Sequence, residues 1–247
     1  MNKCVSFILV MLFLVSCHQK KDARIWLHRV NTQERLIKYQ YKYSGIELDV
    51  HFIDSVGGFV VKHDRLDTTH FLLEEYLESL DNKAIGIWFD FRNSWRLSEK
   101  DQEKSLKELN RLKEKNQLQG QLYVESHSIE VLEKFYDSNY TTSYYIPEFD
   151  ETTSDETLDS IKNLIKEAVL NPKVNCISGN YNQKDKVEEW FPQKSKLFWN
   201  LGFDVDYHQM QEVLDNDSTI KIILVSDEER KHSDFYYFLK NKLKKDF

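Results

Sequence analysis

Positive charge, glycine, proline and cysteine are all in short supply in this chain. Lysine and arginine number 34 against 41 acidic residues, a net charge of -7 with an isoelectric point near 5.7. That balance argues against a nucleic-acid partner. With 7 glycines and 3 prolines in 247 residues, there is no low-complexity tract, linker or internal repeat to mark a second domain. A Walker loop, a Gly-rich dinucleotide fingerprint, a Gly-x-Ser-x-Gly elbow and a paired-cysteine metal site are all missing from the sequence. What is abundant is aromatic: 13 tyrosines and 15 phenylalanines, the composition of a packed globular chain.

The first residues read as a secretory signal. Lys3 gives a positive start, residues 5–15 are almost wholly apolar, and Leu14-Val15-Ser16-Cys17 sets small residues at a cleavage point. The stretch is too short for a spanning helix with proper flanks. Its end resembles a bacterial lipobox, which implies cleavage before Cys17 and lipid attachment to it; an ordinary signal with a chance cysteine is the alternative. The expected organisation is a signal over 1–16, a tether over 17–22 and one domain over 23–247. Cys4 would leave with the signal and a lipidated Cys17 would leave Cys176 as the one thiol. No intramolecular disulfide is then possible, and the fold must rest on its core. By resemblance to lipoprotein sorting in two-membrane bacteria, Gln19 favours the outer membrane.

Apolar strand-like runs alternate with amphipathic stretches along the whole domain. Strands are expected at 24–28, 45–52, 85–91, 121–125, 142–146, 175–179, 196–201 and 221–225. Helical patterns occupy 33–43, 70–79, 98–115, 129–137, 154–170, 204–214 and 233–244, with a short one at 185–190. Alternating β and α units imply a parallel sheet, and eight such strands predict a closed (β/α)8 barrel in a single domain. An open doubly wound sheet is the alternative. Between the second and third strands, Ser55-Val56-Gly57-Gly58 makes a turn and 59–62 a second extended run, a hairpin that returns His63 to the end where Glu47 and Asp49 lie.

In a barrel the C-terminal strand ends converge on one face that carries the chemistry. Glu47 and Asp49 are two apart on a strand and share a side. Two adjacent carboxylates raise each other's pKa, a conflict that a hard cation such as magnesium or calcium resolves; exposed alternating acids are the competing account. Asp90 follows an apolar run and needs a partner, either that cation or Arg92, whose guanidinium suits a phosphate. His28 and His63 are candidates for proton transfer. Glu125 could reach the site as an accessory residue, and Trp199 and Asn200 could line a pocket, Trp199 equally serving the core. His51 is read as packing, and His70, His127, His208 and His232 as structural.

Taken in order, His28-Arg29, Glu47-Leu48-Asp49, His63-Asp64 and Asp90-Phe91-Arg92 resemble glycerophosphodiester phosphodiesterases, of the phosphatidylinositol-phospholipase-C-like barrels. The detail is most similar to two outlying branches, the spider sphingomyelinase D type and the menorin-like proteins. Trp26-Leu27-His28-Arg29-Val30-Asn31 resembles their opening motif, and Trp88-Phe89-Asp90-Phe91-Arg92 their hydrophobic-Asp-hydrophobic-Lys strand. The motif-bearing match covers 26–93, and Trp199 stands where the family often has a tryptophan. The resemblance implies catalytic His28 and His63, and metal binding by Glu47, Asp49 and Asp90. The chain departs from the commoner pattern in having Val30 where glycine usually follows His-Arg, and Asp90-Phe91-Arg92 where Glu-x-Lys is usual.

The expectation is therefore an envelope-anchored, metal-dependent phosphoric diester hydrolase. It would hold one Mg or Ca ion on Glu47, Asp49 and Asp90, use Arg29 and Arg92 on the phosphate, and Asn31 and Trp199 in the pocket. The expected partners are a small or lipid-derived phosphodiester and the membrane, through Cys17; the chain is expected to be a monomer. The alternative is a non-catalytic barrel lipoprotein that binds a glycan or lipid headgroup at the same mouth. A barrel glycosidase using Glu47 and Glu125 fits less well, since it leaves both histidines idle.

Overall fold

Each expected strand forms, and their order closes on itself. The computed structural model describes residues 22–63, 71–199 and 207–227. Eight parallel strands, β1 (Ile25–Leu27), β2 (Gly45–Ile53), β5 (Gly86–Phe91), β6 (Leu122–Ser126), β7 (Thr141–Tyr145), β8 (Cys176–Asn180), β9 (Ser195–Trp199) and β10 (Ile220–Val225), pair in sequence. Leu27 on β1 meets Ile46 on β2, and Ile25 to Leu27 meet Ile223 to Val225 on β10. With β1 paired on both sides the ring of eight parallel strands is closed, and the open-sheet alternative is excluded.

The hairpin between the second and third parallel strands is present. β3 (Gly58–Val61) runs antiparallel to the outer half of β2, and β4 (Phe71–Leu72) pairs antiparallel to β3. Gly57 makes the turn at φ 69°, the left-handed region that glycine enters without a Cβ clash.

The helices are α1 (Gln33–Tyr39), α2 (Leu73–Glu78), α3 (Glu99–Lys115), α4 (Ile129–Tyr136), α5 (Asp155–Leu170), α6 (Lys184–Trp190) and α7 (Tyr207–Asn216). Thr32, Ser98, Ser128 and Ser154 cap four of them, each side chain accepting from the backbone N–H three residues on. In α3, Glu99 and Asp101 open the helix and Lys113 and Lys115 close it, the polarity that the helix dipole favours. Two helices differ from expectation. α1 stops at Tyr39 rather than 43 because the Gln40 carbonyl accepts from the Asn82 side chain while the Gln40 carboxamide oxygen accepts from the Asp81 and Asn82 backbone. α2 begins at Leu73 because the two preceding residues join β3 as a strand. The expected helix at 233–244, the start of that at 204–214 and the end of the strand at 196–201 lie outside the described residues, as do the signal and tether.

Strand alternation divides the apolar residues into two sets. Ile46, Leu48, Ile87, Phe89 and Val124 pack outward with the helices, as Leu36, Leu77 and Leu109 do from the helical side. Trp26, Trp88, Tyr123, Cys176, Leu197, Trp199, Ile222 and Leu224 form a separate cluster from the opposite strand faces, filling the barrel. The Trp26 indole occupies the space that side chains at two strand starts would need. A Cβ on Gly45 would fall 2.0 Å from that ring, and one on Gly86 2.4 Å from it. The floor is thus closed by an indole, and the opposite end holds the polar side chains. Among the described residues no helix is long and apolar enough to cross a membrane.

Candidate active site

The inward alternation of β2 that begins at Gly45 carries Glu47 and Asp49 to the mouth, while Ile46 and Leu48 stay in the outer core. β5 pairs in register with it, so that Asp49 lies opposite Asp90 and, one strand further, Asp90 opposite Glu125. Four acids therefore stand on three adjacent strands. Three of them converge: ligand oxygens of Glu47, Asp49 and Asp90 lie within 4.8 Å of one another.

The chain after β1 supports this group from its other side. Arg29 adopts φ 51° and its backbone N–H donates to Glu47 Oε2 at 2.6 Å, while His28 Nε2 is 3.6 Å from the same oxygen. Asn31 grips Asp49 twice: its Nδ2 donates to Oδ2 at 2.6 Å and its Oδ1 accepts from the Asp49 backbone at 3.0 Å. Asn31 thus acts through Asp49. On the third side Arg92 donates to Asp90 Oδ2 at 2.8 Å, and its Nε lies 3.7 Å from Asp49 Oδ1. The Asp90–Arg92 ion pair is present alongside the carboxylate group, not in place of it.

Burial sets the electrostatics. Glu47, Asp49 and Glu125 are each 2% exposed. Desolvation, followed by the charges of Asp49 and Asp90, pushes the Glu47 carboxyl well above the usual range. Desolvation and then Asp49 raise Asp90 to about 7, against the opposing pull of Arg92. Glu125 is raised by burial and then by Asp90. Three crowded, dehydrated carboxylates form an all-oxygen donor set in need of positive charge. That set fits a hard divalent cation.

A cavity of about 230 Å³ opens over these groups. His28, Arg29, His63 and Arg92 line it together with the four acids. His63 arrives through the hairpin: the Lys62 backbone donates to the Asp49 carbonyl, and His51 Nε2 lies 3.5 Å from the His63 carbonyl. His51 is buried and serves packing, as expected. Trp199 belongs to the barrel core and also lines the cavity.

Sequence reasoning missed four lining residues, Trp88, Tyr145, Glu148 and Leu224. Tyr145 ends β7 and so obeys the same strand-end rule that singled out the others. Its ring stacks on Trp199 with centroids 4.8 Å apart, and its hydroxyl donates to Glu148 Oε1 at 3.3 Å. His127 packs 4.1 Å from the Tyr145 ring, and burial lowers its pKa, in keeping with a structural role. Cys17, Asp64, His70, Asn200 and His232 lie outside the described residues, as does the His208 side chain.

No protein-family model matches the chain, and no curated protein matches it in sequence. Solved structures do match in fold. A glycerophosphodiester phosphodiesterase from Parabacteroides distasonis aligns over 89% of this chain and 99% of its own, with 14% identity and a TM-score of 0.57. A phosphodiesterase from Oleispira antarctica, in complex with the product sn-glycerol-3-phosphate, aligns over 86% and 96% with 12% identity and a TM-score of 0.54. Over nearly its whole length, then, this chain is built on the barrel that these phosphodiesterases share.

Proposed function

We propose that the chain is a metal-dependent phosphoric diester hydrolase, similar in action to glycerophosphodiester phosphodiesterases. The observation that carries the reading is the convergence of Glu47, Asp49 and Asp90 beneath a cavity also lined by His28, His63, Arg29 and Arg92. Glu47, Asp49 and Asp90 would hold the cation, Mg or Ca, which when bound neutralises charge on the phosphoryl oxygens. Arg29 and Arg92 add their own positive charge there, in the fork geometry that suits phosphate.

His28 and His63 exchange the protons. One takes a proton from the attacking hydroxyl as its oxygen bonds to phosphorus; the other gives a proton to the alcohol oxygen as the second P–O bond breaks. Asn31 fixes the Asp49 carboxylate and the Arg29 N–H fixes that of Glu47, so the acidic group is preorganised. The substrate class is a small or lipid-derived phosphodiester, a reading to which the product complex of the Oleispira protein lends support. Lipid attachment at Cys17 and residence at the outer membrane are part of the same proposal, supported by the Leu14-Val15-Ser16-Cys17 motif and Gln19.

The deciding experiment follows hydrolysis of bis(p-nitrophenyl) phosphate, glycerophosphocholine and a lysophospholipid by the soluble form starting after Cys17. Each is run with magnesium, calcium or chelator, beside His28→Ala. Turnover that needs metal and vanishes in the variant is expected; folded protein inert on all three would favour a non-catalytic binding barrel.

A further inference from the structure

We propose that the barrel floor, the end opposite the cavity, is a membrane-docking face that lies against the bilayer holding the Cys17 lipid, so that the mouth opens away from that bilayer. The inference rests on the lipid attachment proposed above and sets how the site is presented to its substrate.

The tether decides the geometry. Asp22 is pinned at the floor just ahead of β1. Its carboxylate accepts from the Arg24 backbone at 2.8 Å, from Arg24 Nε at 3.0 Å and Nη2 at 2.8 Å, and from Gln211 Nε2 on α7 at 2.9 Å. Arg24 Nη1 in turn donates to the Leu214 carbonyl of α7 at 2.6 Å. Cys17 stands five residues before Asp22, a reach of at most about 18 Å when fully extended. The way from floor to mouth is longer. α3, whose 17 residues leave the mouth after β5 and return to the floor, spans about 25 Å. A lipid on Cys17 therefore cannot bring the mouth to its own membrane.

The exposed apolar side chains agree. Among the described residues the two most exposed of the large ones are Tyr41 at 71% and Leu170 at 72%. Tyr41 lies in the loop that leads from α1 into β2, and Leu170 ends α5 ahead of β8, so both stand at the floor. β2 and β8 are four strands apart in the ring of eight, which sets these side chains at opposite edges. Tyr136, exposed where α4 ends ahead of β7, is a third point. Three points spread round one end meet a flat surface together only if that end faces it. Their chemistry suits a bilayer interface, where tyrosine keeps its ring in the apolar layer and its hydroxyl among the headgroups. Lys20 and Lys21 in the tether add positive charge for anionic lipids. Val56 and Trp95 are exposed at the mouth, but the reach of the tether keeps them from that membrane, and Arg96 lies over the Trp95 ring at 4.3 Å. The site consequently draws on phosphodiesters dissolved in water, not on lipids of the leaflet that holds the anchor.

The test is amide hydrogen exchange on vesicles of phosphatidylethanolamine and phosphatidylglycerol, with the soluble form for comparison. The sample is the full chain purified from membranes, and its mass reports whether Cys17 carries lipid. A chain without lipid is replaced by the form starting at Cys17, coupled through that thiol to a maleimide lipid; Cys176 is buried. Residues 40–44 and 170–173 should exchange about tenfold or more slowly on the vesicle, the factor that burying one such side chain is worth. Residues 54–57 and 93–97 should not change. Tyr41→Asp with Leu170→Asp should abolish the protection and leave hydrolysis of glycerophosphocholine at the parent rate. Protection at the mouth segments, or at neither end, overturns the docking face. A missing lipid mass removes the Cys17 reading alone, and a parent inert on glycerophosphocholine removes the hydrolase reading alone; floor protection in either case leaves the docking face standing.

Discussion

Arg29 sits at φ 51°, and in that conformation its backbone N–H donates to Glu47 Oε2 at 2.6 Å. A non-glycine residue in the left-handed region costs on the order of 1–2 kcal/mol. Strain of this kind persists where a site gains from it. Arg29→Gly keeps the N–H, relieves the strain and deletes the guanidinium. The variant should melt higher by a few degrees, for a gain of about 1 kcal/mol in a chain of this size. Its kcat/KM should fall by roughly tenfold or more through the lost phosphate contact. Thermal melts and kinetics on the same preparation check both; a drop in Tm would show that the side chain, not the backbone, is what the fold needs.

The histidines are tested by rate. Loss of a general acid or base costs ~10²–10⁴-fold, so His28→Ala and His63→Ala should each nearly silence turnover. Circular dichroism should remain that of the parent. Full activity in both variants on an established substrate would remove the proton-transfer assignment.

The site was legible in the sequence wherever it is written locally. Glu47 and Asp49 share a face because a strand repeats every two residues, and His63 returns because Gly57 and Gly58 allow a turn. Tyr145 and Glu148 were passed over because the strand expected over 142–146 hid the fact that Tyr145 is its last residue. What marks Tyr145 is its stack on Trp199, from a different strand. The early end of α1 is likewise decided by a distant residue, Asn82, which takes the Gln40 carbonyl. Pairing between strands, such as Asp90 with Glu125, belongs to the closed barrel and to no local pattern.

Gly45 and Gly86 test the barrel floor. Their missing side chains make room for the Trp26 indole, and the strand backbone around a buried ring cannot yield cheaply. Gly86→Ala should cost about 1–3 kcal/mol, the usual range for overpacking. Adding Trp26→Leu should recover part of the loss, because the two changes share one space. Denaturant melts of the single and double variants measure it, and additive losses would contradict the close approach.

Cation binding should be visible without turnover. A ligand that binds only the folded state stabilises by about 2.7 kcal/mol at a hundred times its Kd. Saturating magnesium or calcium should raise the parent Tm, with chelator reversing the rise. Asp90→Asn should lose most of it, since one of three converging carboxylates is gone. An equal rise in parent and variant would locate the bound ion elsewhere.

The same carboxylates set the pH dependence of the metal-free protein. Asp90 is raised by burial, and then by Asp49, from an ordinary 3.8 to about 7 in the folded state. Between those values the folded chain holds a proton that the unfolded chain has released. Unfolding then releases protons, so stability falls as pH rises from about 4 to 7 and flattens above, where both states are ionised. Glu47 and Glu125, also raised by burial, add slopes of the same sign. Asp22 and Glu74, lowered to about 2 by Arg24 and by Arg111 with Lys115, act in the opposite sense. Their contribution is lost chiefly below pH 4, outside this window. In chelator, the difference in stability between the parent and Asp90→Asn should therefore change steadily across pH 4–7, the variant becoming relatively more stable. Saturating cation should oppose that fall in the parent, because binding strengthens as the ligands lose their protons. A difference that does not vary with pH would mean that Asp90 is ionised throughout, held by Arg92 alone.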